Sequence, residues 1–493
     1  MKVYKVFRRS AFLQNAALLT VTSLLLRGVG ILFRIYLAGR IGPEGMGLYQ
    51  LVISVYMLVS AFAAAGLCTA VTRLVTDALC RGDRGRALRA LRYAVLVSLL
   101  VGLVSAGALY LTAGPISRGL LKDARAAAAL RILPISLPFM GVSSCLKGYF
   151  MARRRVTVTA RAQILEQAVR IAVIAALLQK VGSADLSAAC AVVMTGDVTA
   201  EAASCLRLFG GFRRDRRNLP PATAPMKGEG VMATLMGISL PITATRYLNT
   251  ALHTVENLLV PDRLTVYTGS RAVALSLFGC LKGMAMPLLF FPSSFLSAIG
   301  TLLIPEISES AALGHTRRVQ DAVGRTLHLT LTASLLLSGV FWLYAPALGT
   351  LLYQSEEVSR MLRVLAPLLP AMYLESMVDG ILKGLDQQVS TLRYSLIDSG
   401  IRLALIFWLV PRTGMAGFLF VMTVSNLLVA FLNLHRLITV TKLPVQWGRW
   451  LIAPLAAVGA AGGGAFAFSR ISPVAALPPV LGTISGILVM AGL

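Results

Sequence analysis

The stretch Tyr93-Ala-Val-Leu-Val-Ser-Leu-Leu-Val-Gly-Leu-Val-Ser-Ala-Gly-Ala-Leu-Tyr-Leu-Thr-Ala113 contains no charged side chain. A helix needs about 20 apolar residues to cross a hydrocarbon core about 30 Å thick, so this stretch is typical of a membrane span. The whole chain shares this character, because 56% of its 493 residues are hydrophobic and only 14% are charged. Soluble domains contain about 25% charged residues. The composition therefore excludes an ordinary soluble protein.

Other long apolar stretches with few charges occur along the entire chain. They predict an all-α polytopic membrane protein with about 14 transmembrane helices. Within the eighth span, Pro287 and Pro292 remove backbone hydrogen-bond donors, so we expect a short helix, a break and then the true span. The predicted spans are 16–38, 47–76, 93–113, 126–150, 157–178, 187–206, 231–257, 272–305, 326–345, 364–382, 394–410, 415–434, 450–468 and 474–493.

Lysine and arginine are distributed unequally between the two sets of predicted loops. The set that includes both the amino-terminal segment and the 207–229 loop holds 26 of the 47 basic residues, and the alternate loops hold 11. The positive-inside rule therefore predicts that both termini are cytoplasmic. A net charge of +26 could also indicate nucleic-acid binding. Because topology accounts for most of this charge, we expect no nucleic-acid partner.

Cysteine and histidine residues give no sign of a metal centre. The six cysteines form no C-x-x-C pair, and the four histidines are scattered. Zinc sites in proteins need closely spaced ligands of these types. We therefore expect no metal and no cofactor.

The chain contains an internal repeat. Arg131-Ile-Leu-Pro-Ile-Ser-Leu-Pro138 matches Arg363-Val-Leu-Ala-Pro-Leu-Leu-Pro370 at an offset of 232, and Leu146-Lys-Gly148 matches Leu382-Lys-Gly384 at an offset of 236. Both copies start from the same side of the membrane, which predicts two pseudo-symmetric six-helix lobes. Transporters with such repeats bind substrate between their lobes. The predicted domains are an N-lobe at 1–218, a cytoplasmic linker at 219–230, a C-lobe at 231–445 and two C-terminal helices at 446–493.

Several sequence motifs carry a family likeness along essentially the entire chain. It resembles the polysaccharide-export branch of the multidrug/oligosaccharidyl-lipid/polysaccharide exporter superfamily, in particular its sporulation proteins. The motifs are Arg27-Gly-Val-Gly-Ile-Leu-Phe-Arg34, Ile41-Gly-Pro-Glu-Gly-Met-Gly-Leu-Tyr-Gln50, Ala65-Gly-Leu-Cys-Thr-Ala-Val-Thr-Arg73, Leu146-Lys-Gly-Tyr-Phe150 and Leu382-Lys-Gly-Leu-Asp-Gln-Gln388.

This resemblance implies a two-lobed, fourteen-helix flippase in the bacterial cytoplasmic (inner) membrane. The sporulation members imply a role in spore-cortex peptidoglycan. The related lipid II flippases imply a cationic central cavity that binds an undecaprenyl-diphosphate-linked sugar. Their arginine pair in the first helix matches Arg27 and Arg34, and their arginine in the seventh matches Arg246.

The spacing of these arginines fits phosphate binding. Seven residues at about 100° each bring Arg27 and Arg34 to one helix face. Arg246 and His253 have the same spacing. Arginine donates a bidentate pair of hydrogen bonds to phosphate oxygens, so these four residues are candidate diphosphate ligands. Alternatively, the arginines pair with buried acids and lock neighbouring helices.

Acidic residues inside the predicted spans fall into two groups. Acids four residues apart face the same way and repel each other, which makes them candidates for ion or proton coupling. The alternative is that basic residues of neighbouring helices neutralise them. The candidate coupling acids are Asp197, Glu201, Glu375 and Asp379. An acid four residues before an arginine predicts a structural ion pair on one helix. The predicted structural pairs are Glu166–Arg170 and Asp398–Arg402.

The leading functional hypothesis is a flippase. It would move an undecaprenyl-diphosphate-linked oligosaccharide or peptidoglycan precursor from the inner to the outer leaflet, for spore-cortex or cell-envelope polysaccharide synthesis. Ten basic residues against seven acids in the spans favour an anionic substrate. A multidrug or cation antiporter and an integral membrane enzyme acting on lipid-linked sugars are the alternatives. Expected partners are the lipid-linked sugar, membrane lipids and cell-wall synthesis enzymes, and we expect no enzymatic activity.

Overall fold

The fold was examined in a computed structural model. The predicted linker lies outside the described residues except for Gly230, and so does the predicted fourteenth helix. The structure describes residues 2–64, 66–180, 185–217, 230–444 and 448–469.

The described chain is built from helices, and none of its residues forms a strand. Short 3₁₀ or π segments join some of the helices, at Ile116–Leu120, Leu133–Ile135, Gly279–Ala285, Ala366–Leu368 and Gly448–Ile452. The helices are α1 (Lys2–Ala64), α2 (Leu67–Cys80), α3 (Arg84–Pro115), α4 (Ala126–Ile132), α5 (Ser136–Ala152), α6 (Val156–Leu178), α7 (Leu186–Arg217), α8 (Val231–Thr268), α9 (Arg271–Phe278), α10 (Met286–Phe290), α11 (Ser293–Ala312), α12 (Thr316–Tyr353), α13 (Glu356–Leu365), α14 (Leu369–Gly384), α15 (Gln388–Thr441) and α16 (Ala453–Ser469).

Eight helical stretches among the described residues are long and apolar enough to cross a membrane. Val21–Cys80 contains 60 residues and Gln388–Thr441 contains 54. At about 1.5 Å per residue each is long enough to cross a 30 Å hydrocarbon core twice. The chain is therefore a polytopic all-α membrane protein, as its sequence predicts.

Glycine kinks replace two of the predicted loops. The predicted loop 39–46 is a change of direction at Gly42 inside α1, where φ is 68°. The predicted loop 411–414 is a similar kink at Gly414 inside α15, where φ is 64°. Positive φ is accessible to glycine without steric cost, so the chain turns at these points without a longer loop.

Two spans are broken rather than continuous. The proline-containing eighth span has the expected break, at Phe291 and Pro292 between α10 and α11. The order of its parts differs from the expectation, because the stretch before the break, Arg271–Phe290, is the one long and apolar enough to cross a membrane and is not a short helix. The second span, predicted as continuous from 47 to 76, is also interrupted, since α1 ends at Ala64 and α2 begins at Leu67. Gly66 has φ 64° at this break.

The chain divides into two compact units. One contains the chain up to Phe33 together with Leu48–Leu258, and the other contains Arg34–Gly47 and the chain from Leu259 onward. The core of the first unit forms where α2, α3 and α5 meet, and its fully buried side chains include Tyr149 and Phe150. The division into lobes at 219–230 stays a prediction.

The internal repeat is visible in the local structure. In the first unit α4 leads through a 3₁₀ turn at Leu133–Ile135 into α5, and in the second α13 leads through Ala366–Leu368 into α14. Pro134 and Pro367 occupy the two turns, where a missing N–H costs least. The repeated sequence motif therefore encodes a repeated helix–turn–helix element.

Candidate functional site

The predicted phosphate-binding arginines of α1 belong to different units. Arg27 is exposed and lies in the first unit, whereas Arg34 is half-buried and lies in the second. Arg34 lies within electrostatic range of Tyr353 on α12. Both arginines precede the kink at Gly42, so their seven-residue spacing places them on one face of a continuous helical segment.

The predicted ligands on α8 are both exposed in the first unit. Arg246 is exposed and has no carboxylate within ion-pair distance among the described residues. Its neighbours include Cys68 of α2, which lies within electrostatic range. His253 Nδ1 lies 3.8 Å from Glu256, whose side chain is only 5% exposed. The imidazole of His253 thus lies close to an acid of its own helix, whereas the guanidinium of Arg246 is accessible to a ligand.

A cluster of ion pairs occupies the interior of the first unit, where α5, α6 and α7 meet. Arg170 Nη2 lies 3.2 Å from Glu166, and Arg170 Nε lies 2.8 Å from Asp197. Lys147 Nζ lies 3.9 Å from the other oxygen of Glu166. Two bases therefore balance two acids, and the carboxylate of Asp197 is neutralised by a basic partner on a neighbouring helix.

Glu201 is the fifth ionisable group of this cluster. One of its carboxylate oxygens, Oε1, is buried and has no hydrogen-bond partner among the described residues. Lys147, Glu166 and Arg170 lie within electrostatic range, and Ser143 is adjacent on α5. Because the two bases already face two acids, an ionised Glu201 would give the cluster a net negative charge.

Two acids of the second unit have basic partners on their own helices. Asp379 Oδ2 accepts a hydrogen bond of 2.6 Å from Lys383, one turn along α14. Asp398 pairs with Arg402 and accepts a second bond of 2.6 Å from Ser425. Glu375 is half-buried and also has an interaction partner.

Arg73 on α2 is a cationic residue to which the sequence assigned no role. It is exposed and lines a cavity of about 440 Å³ in the first unit. The signal that could have indicated it is its position within the predicted second span, because a charge at membrane depth is costly unless it faces water or a partner. No group of three or more His, Cys, Asp and Glu that could hold a metal ion occurs in the described part of the chain.

The amino-acid sequence matches known protein families. A family model described as polysaccharide biosynthesis protein matches residues 12–311. The chain belongs to this family. A second model, MatE, matches residues 272–408.

Curated relatives and solved structures extend this finding. Stage V sporulation protein B of Bacillus subtilis (strain 168) is 26% identical over 432 residues, covering 86% of this chain and 83% of the relative. The lipid II flippase MurJ of the same organism is 23% identical over 354 residues, covering 65% and 62%. An inward-facing multidrug resistance MATE family transporter of the MOP superfamily superposes with a TM-score of 0.68 at 14% identity, covering 85% of this chain and 95% of its own. That structure establishes the shared fold.

The family match and the eight candidate spans together identify the chain as a multi-pass membrane protein of the polysaccharide biosynthesis family. Those of its relatives whose names state an activity are a flippase and transporters.

Proposed function

We propose that this protein is a flippase for an undecaprenyl-diphosphate-linked oligosaccharide or peptidoglycan precursor. It loads the lipid from the inner leaflet, holds the diphosphate with arginines, and releases the headgroup at the outer leaflet by alternating access. The product serves spore-cortex or cell-envelope polysaccharide synthesis, as the similarity to stage V sporulation protein B supports.

The exposure of Arg246 carries this proposal. A charged side chain within a predicted membrane span, such as Arg246 within 231–257, faces water, a ligand or a partner, because its burial in lipid is expensive. Among the described residues Arg246 has no acidic partner, whereas Arg170 and Arg402 are each paired with acids. An accessible guanidinium at this position suits an anionic ligand that arrives and leaves, and diphosphate oxygens match its bidentate geometry.

The membrane potential can supply the driving force. Moving one elementary charge across 100 mV changes its free energy by about 2.3 kcal/mol. The free energy of a diphosphate with about two negative charges therefore falls by roughly 4.6 kcal/mol per 100 mV when it moves outward from a negative interior. Export then needs no ATP-binding site, and the sequence contains no G-x-x-x-x-G-K-[ST] motif.

An antiporter of drugs or cations is the second candidate, favoured by the MatE match over residues 272–408. A cation-binding site requires acids that are free to face the substrate. In the second unit, however, Asp379 and Asp398 are already paired with Lys383 and Arg402. The described charges therefore support an anionic substrate better than a cationic one.

Translocation by the purified protein tests the proposal. Wild-type protein in vesicles should move a fluorescent undecaprenyl-diphosphate-linked sugar to the opposite leaflet, where an impermeant quencher or reductant detects it. Arg246→Ala should abolish this movement, and Arg246→Lys should restore part of it, because lysine keeps the charge but loses the bidentate geometry. Ethidium transport in the same vesicles tests the antiporter. A protein that transports ethidium but no lipid-linked sugar would refute the flippase.

A further inference from the structure

A polar stripe lies along the exposed side of α2 in the first unit. The opposite side of this helix, including Leu67, Val71 and Leu74, is buried in the hydrophobic core. The exposed side faces a shallow, open cavity of about 440 Å³, to which α5 contributes Met151. Because α2 continues the second membrane span, a polar stripe on it is unfavourable against lipid and indicates an aqueous groove. The residues that line the groove include Thr69, Thr72, Arg73, Thr76 and Asp77.

The guanidinium of Arg73 is available to a ligand in this groove. Its natural intrahelical partner would be Asp77, four residues further along. Asp77 instead forms an ion pair of 3.5 Å with Arg81 on the following turn. No acidic partner of Arg73 occurs among the residues that the structure describes, although the side chain is exposed inside the groove.

Hydroxyl groups flank Arg73 on the same helix face. Thr69 and Thr76 are four residues before and three residues after it, and both are exposed. Thr72 differs, since its hydroxyl already donates to the carbonyl oxygens of Cys68 and Gly148 at 2.8 and 3.1 Å. The groove therefore offers one cationic bidentate donor and two hydroxyl donors along about two helical turns, a set that matches phosphate oxygens.

The inner end of the groove approaches the arginine of α8. Cys68 lines this end and lies within electrostatic range of both Arg246 and Lys147. The backbones of the two helices are also close here, because a Cβ placed on Gly66 would lie 2.3 Å from the carbonyl oxygen of Ser239. An anion in the groove would therefore lie beside Arg73, between Cys80 and Cys68, and would have Arg246 near its inner end.

The second unit provides an internal comparison. Ser308 on α11 donates to the carbonyl of Gly384 as Thr72 donates to that of Gly148, which fixes an offset of 236 between the two helices. At this offset the counterpart of Arg73 is Glu309, which lines a separate cavity of about 340 Å³. Since the two repeats share their backbone contacts but carry opposite charges here, the cationic character of the α2 groove is specific to the first unit.

We infer that the α2 groove is a loading site at which Arg73 binds the diphosphate of the lipid-linked substrate at the cytoplasmic leaflet before Arg246 does. This inference rests on the proposed function and extends it by naming a second phosphate-binding site, which the substrate occupies first. Arg73 in the groove and Arg246 near its inner end would then provide the diphosphate with two successive counter-charges.

Two native cysteines report on occupancy of the groove. Cys80 lies at its cytoplasmic end and is exposed, and Cys68 lies at its inner end and is half-buried. The other four cysteines are buried. In a Cys80→Ser variant reconstituted in phosphatidylcholine nanodiscs, mass spectrometry can follow alkylation of Cys68 by N-ethylmaleimide. Undecaprenyl diphosphate, undecaprenol and phosphatidylglycerol are the three probes.

The diphosphate should slow alkylation of Cys68 in a saturable manner, while undecaprenol and phosphatidylglycerol should not. Arg73→Gln should raise the half-protecting concentration of undecaprenyl diphosphate about tenfold or more, because it removes a charge-assisted hydrogen bond. The matched control is Arg92→Gln on α3, an exposed arginine that does not line the groove, which should change it by less than about twofold. Thr69→Val is a smaller change within the groove and should also raise the half-protecting concentration. It replaces Arg73→Gln as the test if that variant does not fold.

Three results would overturn the inference. They are no protection of Cys68 by undecaprenyl diphosphate, equal protection by phosphatidylglycerol, or protection that Arg73→Gln leaves unchanged in a folded protein. Binding and translocation are measured separately, so the two proposals fail in distinguishable ways. Arg246→Ala should lose translocation and keep protection of Cys68. Wild-type protein that moves lipid-linked sugar without protecting Cys68 would leave the flippase standing and remove the loading site.

Discussion

The hydroxyl of Thr72 on α2 lies 3.1 Å from the carbonyl oxygen of Gly148 on α5. This contact is possible because the helices approach closely, since a Cβ on Gly148 would lie 2.5 Å from the carbonyl oxygen of Cys68. Ser308 and Gly384 reproduce the contact in the second unit at 2.8 Å. The repeat thus preserves a specific hydrogen bond between helices in addition to its sequence motif.

Replacing Thr72 with valine should destabilise the first unit. The substitution preserves shape but removes a hydroxyl that donates to two backbone carbonyls, and a hydrogen bond contributes about 1 kcal/mol to the free energy of unfolding. Thermal unfolding of the purified protein in detergent measures the change. Thr76→Val, on the exposed side of α2, is the matched control and should leave the unfolding midpoint near that of the wild type. Equal midpoints for the two variants would contradict this role of Thr72.

Replacing Gly66 with alanine should be more damaging. The residue has φ 64°, and a Cβ would lie 2.3 Å from the carbonyl oxygen of Ser239. Backbone strain and overpacking each typically cost about 1–3 kcal/mol. Gly107→Ala on α3 is the control, because a Cβ there meets nothing within 4 Å. The expected outcome is a lower unfolding midpoint or reduced membrane-inserted protein for Gly66→Ala alone, and an unaffected Gly66→Ala would refute the close-approach argument.

The two broken spans show how far the sequence predicts this fold. Apolar length identified the spans, and Pro292 indicated the break in the eighth because proline removes a backbone donor. The break at Gly66 escaped prediction because an isolated glycine within an apolar stretch is compatible with a continuous helix. What requires glycine there is its contact with Ser239, which is 173 residues away in the chain, and local sequence carries no record of such a contact.

The ion pairs also divide into those that the sequence predicts and those that depend on tertiary packing. The spacing of Glu166 and Arg170 predicts a local pair, and their side chains lie 3.2 Å apart. The spacing of Asp197 and Glu201 predicted only that they share a helix face. The packing of α6 against α7 gives Asp197 a partner in Arg170 and leaves Glu201 without an ion pair. The role of each acid therefore depends on which helices are neighbours, and that is settled by tertiary packing.

A buried acid near the carboxyl-terminal end of α7 should be important for stability. Asp215 is 1% exposed and accepts hydrogen bonds from Tyr149 at 2.7 Å and from Arg153 at 3.0 Å, with Arg155 at 2.7 Å. Removing one partner of a buried ion pair costs about 3–5 kcal/mol, so Asp215→Ala should lower the unfolding midpoint strongly.

The exposed ion pair of Asp77 and Arg81 provides the control for Asp215. Its side chains are 61% and 58% exposed, so Asp77→Ala should cost no more than about 1 kcal/mol. Both variants are measured by thermal unfolding at the same salt concentration. If Asp77→Ala proved as destabilising as Asp215→Ala, burial could not be the reason for the importance of Asp215.

We expect Glu201, one of the candidate coupling acids, to couple transport to protons. Its buried oxygen has no hydrogen-bond partner, and burying an uncompensated charge costs much more than burying a neutral acid. The ionisable groups near it are Lys147, Glu166, Arg170 and Tyr56 on the surrounding helices and Cys205 one turn along its own helix. Since Glu166 and Asp197 already balance Lys147 and Arg170, the cluster is neutral when Glu201 carries a proton.

Replacing Glu201 with glutamine imitates the protonated acid and should separate coupling from folding. The variant should unfold at a midpoint no lower than that of the wild type, because a neutral amide avoids the burial of an uncompensated charge. Translocation of the labelled lipid-linked sugar should become slower and should no longer respond to a pH gradient imposed across the vesicle membrane. Asp197→Asn differs, since it removes the 2.8 Å pair with Arg170 and should lower the unfolding midpoint. A Glu201→Gln protein with the wild-type rate and the wild-type response to the pH gradient would show that no proton bound at Glu201 drives transport.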